Sequence, residues 1–173
     1  MKNIFKVIII SLFIASPALV SAQKVYKFGH INSQEVAKGL PDMDSVQVKY
    51  QKYYKELGDQ LEAMQVEYNN KLQKYLDEKD KLTDLIRKTK EEELNQFQQR
   101  IQQFQENART ELETKNAELM QPVIDKIKKA ISEVGKENAF TYIFDIAQNT
   151  VVYFSADSQD VTALVKQKLG IKK

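Results

Sequence analysis

The chain has 173 residues, with 26 lysines and arginines against 24 aspartates and glutamates, and it contains no cysteine. Without cysteine there are no disulfides, thiolate metal sites or lipid-modified cysteines, and the near-neutral balance excludes the dense single-sign field that a nucleic-acid-binding surface needs. Five glycines and three prolines are few for the many turns of a compact α/β enzyme of this length, and long helices explain the shortage.

The N-terminal residues set the expected compartment. Lys2 and Lys6 precede an apolar run from Val7 to Val20, interrupted only by Ser11, Ser16 and Pro17, and Val20-Ser21-Ala22 places small residues where a signal peptidase reads. This is the three-part pattern of a secretory leader. The alternative, an uncleaved anchor, wants about 20 apolar residues without such a break. Cleavage after Ala22 is expected, so residues 1–22 are a leader and the processed chain lies free outside the inner membrane. Losing Lys2 and Lys6 brings basic and acidic residues into balance.

Beyond the leader, Val25 to Ile31 has strand composition. Asn32 with Glu35 three positions on reads as a capping box opening a short helix through Val36 and Ala37. That helix is expected to stop near Gly39, with Pro41 at the first position of the next.

From Asp42 to Val134 there is one glycine and one proline. Tyr50, Tyr53, Leu57, Leu61, Met64, Tyr68, Leu72 and Tyr75 are spaced 3, 4, 4, 3, 4, 4 and 3 apart. That is an eleven-residue repeat of about 3.67 residues per turn, which keeps an apolar stripe nearly straight along a helix. A second stripe runs through Leu94, Phe97, Ile101, Phe104, Ala108 and Leu112, then Leu119, Val123, Ile127, Ile131 and Val134. A narrow stripe with polar flanks requires a covering helix. The chain folded back on itself as an antiparallel hairpin supplies it, and a single unbroken helix is the alternative. The turn is placed at 81–84, where Thr83 and Asp84 can cap the returning helix. Each arm is on the order of 60 Å long, and Pro122 is read as a kink where arm meets body.

Near the C-terminus, Thr141 to Ile146 and Thr150 to Phe154 read as two strands of a β-hairpin joined by Ala147-Gln148-Asn149. Asp160 then caps a last helix bearing Val161, Leu164, Val165 and Leu169 on one face, with Gly170 past its end. The predicted fold class is α+β and mostly α. Residues 42–134 form the hairpin arm, and residues 23–41 with 135–173 form a small β-rich body. So small a core is marginal alone, which points to self-association through a shared core of Phe28, Ile31, Ile143, Ile146, Val152 and Phe154.

These segments carry a resemblance. Phe28-Gly29-His30-Ile31-Asn32-Ser33-Gln34-Glu35-Val36, the long charged hairpin, and the closing run Tyr142-Ile143-Phe144-Asp145-Ile146, Val151-Val152-Tyr153-Phe154, Asp160-Val161-Thr162 and Leu169 look like the Skp/OmpH-like periplasmic chaperones of Gram-negative bacteria. The resemblance spans essentially all of the processed chain. It implies a periplasmic homotrimer, with a β-barrel body built from three chains and helical arms enclosing a cavity. That cavity holds unfolded outer-membrane proteins without ATP. One departure is notable: well-known members are strongly basic, with a Lys and Arg site for lipopolysaccharide, and no such cluster matches here position by position.

No catalytic constellation is legible. His30 is the only histidine and sits in a strand run, so a packed or surface role is expected. Glu91-Glu92-Glu93 point in different directions on a helix. Asp157 and Asp160 suit a turn and a cap, and phosphate-loop and nucleophile-elbow motifs are missing. The expected function is therefore that of a holdase without cofactor, metal or nucleic-acid partner, whose clients are unfolded outer-membrane or other exported proteins. A structural spacer or adaptor of the cell envelope is the alternative. Tyr54, Leu76, Leu82 and Ile86, lying beside the stripe or near the tip, are the candidate client-facing residues.

Overall fold

The computed structural model describes residues 26–148 and 151–171. The leader and its cleavage position, Val25, the expected turn residue Asn149 and the expected strand residue Thr150 lie outside the described residues. In chain order the elements are strand β1 (Phe28–Ile31), helix α1 (Ser33–Lys38), helix α2 (Asp42–Glu78), one 3-10 turn (Lys79–Lys81), helix α3 (Asp84–Glu137), strands β2 (Tyr142–Asp145) and β3 (Gln159–Asp160), and helix α4 (Thr162–Lys168). The chain is mostly helical with one small sheet, as its composition predicts.

Helices α2 and α3 form the antiparallel hairpin. Contacts climb one helix while descending the other: Asp42 meets Lys126, Tyr53 meets Glu111, Tyr68 meets Phe97 and Tyr75 meets Glu91. Every stripe residue of both helices is buried or half-buried, and nearly every residue between them is exposed. The periodicity therefore specifies the arm residue by residue. At the tip, α2 tightens into the 3-10 turn, Leu82 is extended, and the Thr83 side chain accepts the Ile86 N–H in a long 3.5 Å cap. No glycine is needed, because Leu82 and Thr83 turn the chain with ordinary negative φ.

The body corrects one expectation. The described residues 151–154 form no strand, so the β-hairpin is absent. Instead β1 is the central strand of a three-stranded parallel sheet in the order β2-β1-β3. Phe28 to Ile31 pair with Tyr142 to Asp145, and Gly29 and His30 pair with Gln159 and Asp160. Val, Tyr and Phe give 151–154 strand composition, but β1 already has β2 on one side and β3 on the other. The two-residue β3, built from polar side chains, carries no compositional strand signal.

The body's core is largely helical. Val36 and Leu40 from the α1 region, Val123, Ile127, Ala130 and Val134 of α3, and Val161 and Val165 at α4 pack around Ile31. Pro122 lies inside α3, one residue before the first of its core residues, Val123. The border drawn after Val134 falls within a continuous helix.

Local caps are shared across the chain. Asn32 accepts the Glu35 N–H at 3.1 Å, but the reciprocal half of the box is missing. The Asn32 N–H goes to the Thr162 hydroxyl, and Glu35 pairs with Lys166 at 2.5 Å. Helix α3 ends with Ala139 at φ 54°, Phe140 N–H bonding the Gly135 carbonyl and Ala139 N–H that of Lys136. Helix α4 ends the same way on Gly170 at φ 72°, where the missing side chain makes the left-handed turn easy.

Candidate functional site

Two surfaces stand out, the length of the arm and one face of the body's sheet. Along the arm, the stripe is reinforced by polar contacts that suit tyrosine, an apolar ring with a polar end. The Tyr53 hydroxyl donates to Glu111 at 3.1 Å, and the Tyr75 hydroxyl donates to Glu91. These bonds to a carboxylate raise both phenol pKa values above their ordinary range. Arg100 sits 4.7 Å from the centre of the Phe97 ring, and Tyr68 packs on the same ring at 6.2 Å. At the root, Lys126 donates to Asp42 at 2.7 Å, and this hydrogen bond holds the Asp42 carboxyl below its usual value.

The arm's concavities are shallow and open. One groove of about 410 Å³ lies midway, where Gly58 of α2 and Ala108 of α3 leave room between Tyr54, Leu57, Leu61 and Phe104. Another, near the tip, has Tyr75, Leu82, Leu94 and Phe97 with Lys74, Lys90 and Arg100 around them. Such grooves offer many weak contacts and no site enclosed enough to orient a reacting group.

Of the candidate client-facing residues, Tyr54 lines the mid-arm groove and Leu82 the tip groove, while Leu76 and Ile86 line neither. Tyr54, Leu76 and Ile86 are exposed, whereas Leu82 is half-buried at the tip groove. Leu85 is 75% exposed, the most open leucine of the tip, and was overlooked in the sequence. Its signal was available: an apolar residue in the first turn of a capped helix, off the stripe.

On the body, strand alternation divides the sheet. Ile31 is fully buried, and Ile143 packs partly buried against the helical core. The opposite face carries Phe28, stacked at 6.1 Å on Tyr142 and 6.4 Å on Phe144, all three exposed. His30 is buried beneath Phe154, ring to ring at 4.3 Å, with its Nδ1 2.9 Å from the Ser158 hydroxyl. Ile146 is half-buried, Phe154 remains 47% exposed, and Val152 is 99% exposed. In one chain, then, the six residues expected to share a core divide: Ile31 and Ile143 are inside, and Phe28, Val152 and Phe154 face solvent.

The acidic groups have structural partners. Asp160 accepts the Thr162 N–H at 2.8 Å, and Asp145 accepts the Ser33 N–H at 3.2 Å, closing the start of α1. Burial disfavours charge on both, but these and neighbouring hydrogen bonds outweigh it and lower both pKa values. Glu91 goes to Tyr75 and Glu93 to Lys90, so the glutamate triplet diverges. Among the described residues, no helix is long and apolar enough to cross a membrane.

This architecture has counterparts among known proteins. Chaperone protein Skp of Photorhabdus laumondii is 25% identical over 162 residues, covering 91% of this chain and 94% of that relative. Chaperone protein Skp of Vibrio cholerae serotype O1 is 32% identical over 76 residues, or 43% of this chain and 45% of that protein. The solved structure of an OmpH-like chain from Caulobacter crescentus CB15 has the same fold, with a TM-score of 0.68 at 12% identity over 84% of each chain. The profile of the family described as outer membrane protein (OmpH-like) matches residues 27–169, from the start of the sheet through the last helix, and the chain belongs to that family.

Proposed function

We propose that this protein is a periplasmic holdase chaperone. It keeps unfolded outer-membrane proteins, or other exported chains, from aggregating, and it does so without nucleotide. The observation that carries this reading is the family match across residues 27–169, together with two relatives whose names are chaperone protein Skp. The arm supports it. Its shallow grooves lined by Tyr, Phe and Leu provide loose apolar contact, while the charged residues around them keep an empty arm soluble.

Self-association is part of the proposal. An exposed, mutually stacked aromatic face on a small body suits burial against other copies, and three copies is the number that the family resemblance implies. The body is then the assembly unit and the arms are the holding surface. Light scattering of a urea-unfolded β-barrel membrane protein, diluted with and without this protein, tests the reading. Suppressed scattering without ATP is expected. Unchanged aggregation sinks the holdase and leaves the envelope spacer in its place.

A further inference from the structure

The two flanks of α2 are not alike. Beside the stripe on one side run two lines with eleven-residue spacing: Gln47, Gly58 and Asn69, and Tyr54, Gln65 and Leu76. None is charged, and all six are exposed. On the other side, the equivalent lines are Lys49, Gln60 and Lys71, and Glu56, Glu67 and Glu78. Five of these six are charged. A helix with the same repeat in its stripe keeps each line on a constant flank, so the contrast extends along most of the arm.

Helix α3 follows the division only in part. The mid-arm groove joins Tyr54 and Gly58 to Gln105 of α3, and so fixes which flank of α3 adjoins the uncharged flank of α2. One and two turns toward the tip on that flank of α3 are Gln102 and Gln98. The same flank also carries Arg109 and Glu113, which line the groove and pair with each other at 3.6 Å. The opposite side of the hairpin holds Glu111, Lys115 and Glu118 near the root, and Lys90, Glu93 and Arg100 near the tip.

We propose that the uncharged flank of α2 is the surface that grips an extended polypeptide, and that its carboxamides recognise the client's backbone. This inference rests on the holdase reading and adds to it a face and a chemistry. An unfolded chain is a neutral repeat of N–H donors and C=O acceptors interleaved with side chains. Its electrostatic complement is a neutral surface carrying both donor and acceptor, which Gln and Asn supply and charged groups do not. A polypeptide crossing the charged flank would strip water from lysines and glutamates, the Glu67–Lys71 pair at 3.4 Å among them, and its neutral backbone would not replace that water. On the neutral flank, Gln47, Gln65 and Asn69 have no hydrogen-bond partner among the described residues, whereas Gln73 and Gln103 on other faces bond Asp77 and Asn107. Tyr54 and Leu76, between these amides, receive client side chains, with the groove beside Gly58 next to Tyr54.

The test places a photo-crosslinking residue at Gln65 or at Gln60 of the full-length protein, with a urea-unfolded β-barrel membrane protein as client. Adducts from Gln65 and few from Gln60 are expected. Equal yields, or a reversed order, overturn the inference, and so does crosslinking from Gln65 to another copy of this chain instead of to client. A paired variant set gives a second readout. Gln47→Glu, Gln65→Glu and Asn69→Asp together should weaken client binding by at least about tenfold, while Lys49→Glu, Gln60→Glu and Lys71→Glu change it less than about threefold. Circular dichroism confirms that both sets stay helical. If the wild type holds the client and both sets weaken it alike, the face is wrong while the holdase stands. If the wild type holds no client, both fall.

Discussion

The arm and the body are stabilised in opposite ways. Nearly every arm contact joins residues on one helix or across one hairpin, so stability is spread evenly along a repeat. The body depends on a few residues far apart in sequence, since β1 is completed by strands more than a hundred residues downstream. Damage should therefore be graded in the arm and abrupt in the body. Closing such long loops costs entropy that only the complete core repays, whereas an arm can lose one turn's packing and keep the rest.

Four substitutions probe this contrast, and the largest effect belongs to the body. Ile31→Ala removes a fully buried side chain at the centre of the core and should cost about 2–5 kcal/mol, read as a lower urea midpoint for the sheet and α4. Next is Gly29→Ala. Its new Cβ would come 2.8 Å from the Phe140 ring and 3.1 Å from the Gln159 carbonyl, an overpacking cost of about 1–3 kcal/mol. Ala139→Gly goes the other way. It relieves a left-handed residue at the end of α3 and should add about 1 kcal/mol. Least affected is the arm: Tyr53→Phe loses an exposed bond to Glu111 and should leave the urea midpoint almost unmoved. An arm substitution that unfolds the whole chain would break the comparison.

Acid sharpens it. The Asp145 carboxyl is opposed by burial, but hydrogen bonds from the Ser33 hydroxyl and from the Ala147 and Ser33 N–H groups more than compensate, and its pKa lies below the ordinary 3.8. Its contribution is therefore present above that ordinary value and is lost as pH falls through the lowered one. Asp145→Asn should flatten the acid side of the body's stability profile while leaving arm helicity by circular dichroism unaltered. An unchanged profile counts against the role given to this carboxylate.

The same contrast explains what could be read from the sequence. The stripes from Tyr50 to Tyr75 and from Leu94 to Val134 were legible to the residue because a helical hairpin's packing is written in local spacing. Thr83 was legible as a cap for the same reason. The sheet was not. Val151 to Phe154 have strand composition without a strand, and Gln159-Asp160 make a strand without composition, because pairing is decided by which edge of β1 is free. Asn32 shows the boundary well: its side-chain cap is local and was foreseen, but its backbone N–H goes to Thr162, 130 residues away. On the proposed holding surface, Tyr54 and Leu76 are legible as residues flanking the stripe. The amides around them were passed over, since polar exposed side chains carry no periodic apolar signal of their own.

The eleven-residue spacing also makes the arm a ruler with fixed divisions. Cutting residues 54–64 from α2 together with the facing 101–111 from α3 removes one division from each helix and shortens the arm by about 16 Å. Tyr53 would then be followed by Gln65 in the phase that Tyr54 held, and the remaining stripe stays in line. Cutting nine residues instead turns everything beyond the cut by about half a revolution, which swings Tyr68 and Phe97 out into water. The reach of the arm is thus adjustable only near whole numbers of helical turns, and eleven residues, three turns, is the step that returns each line of the repeat to its own place.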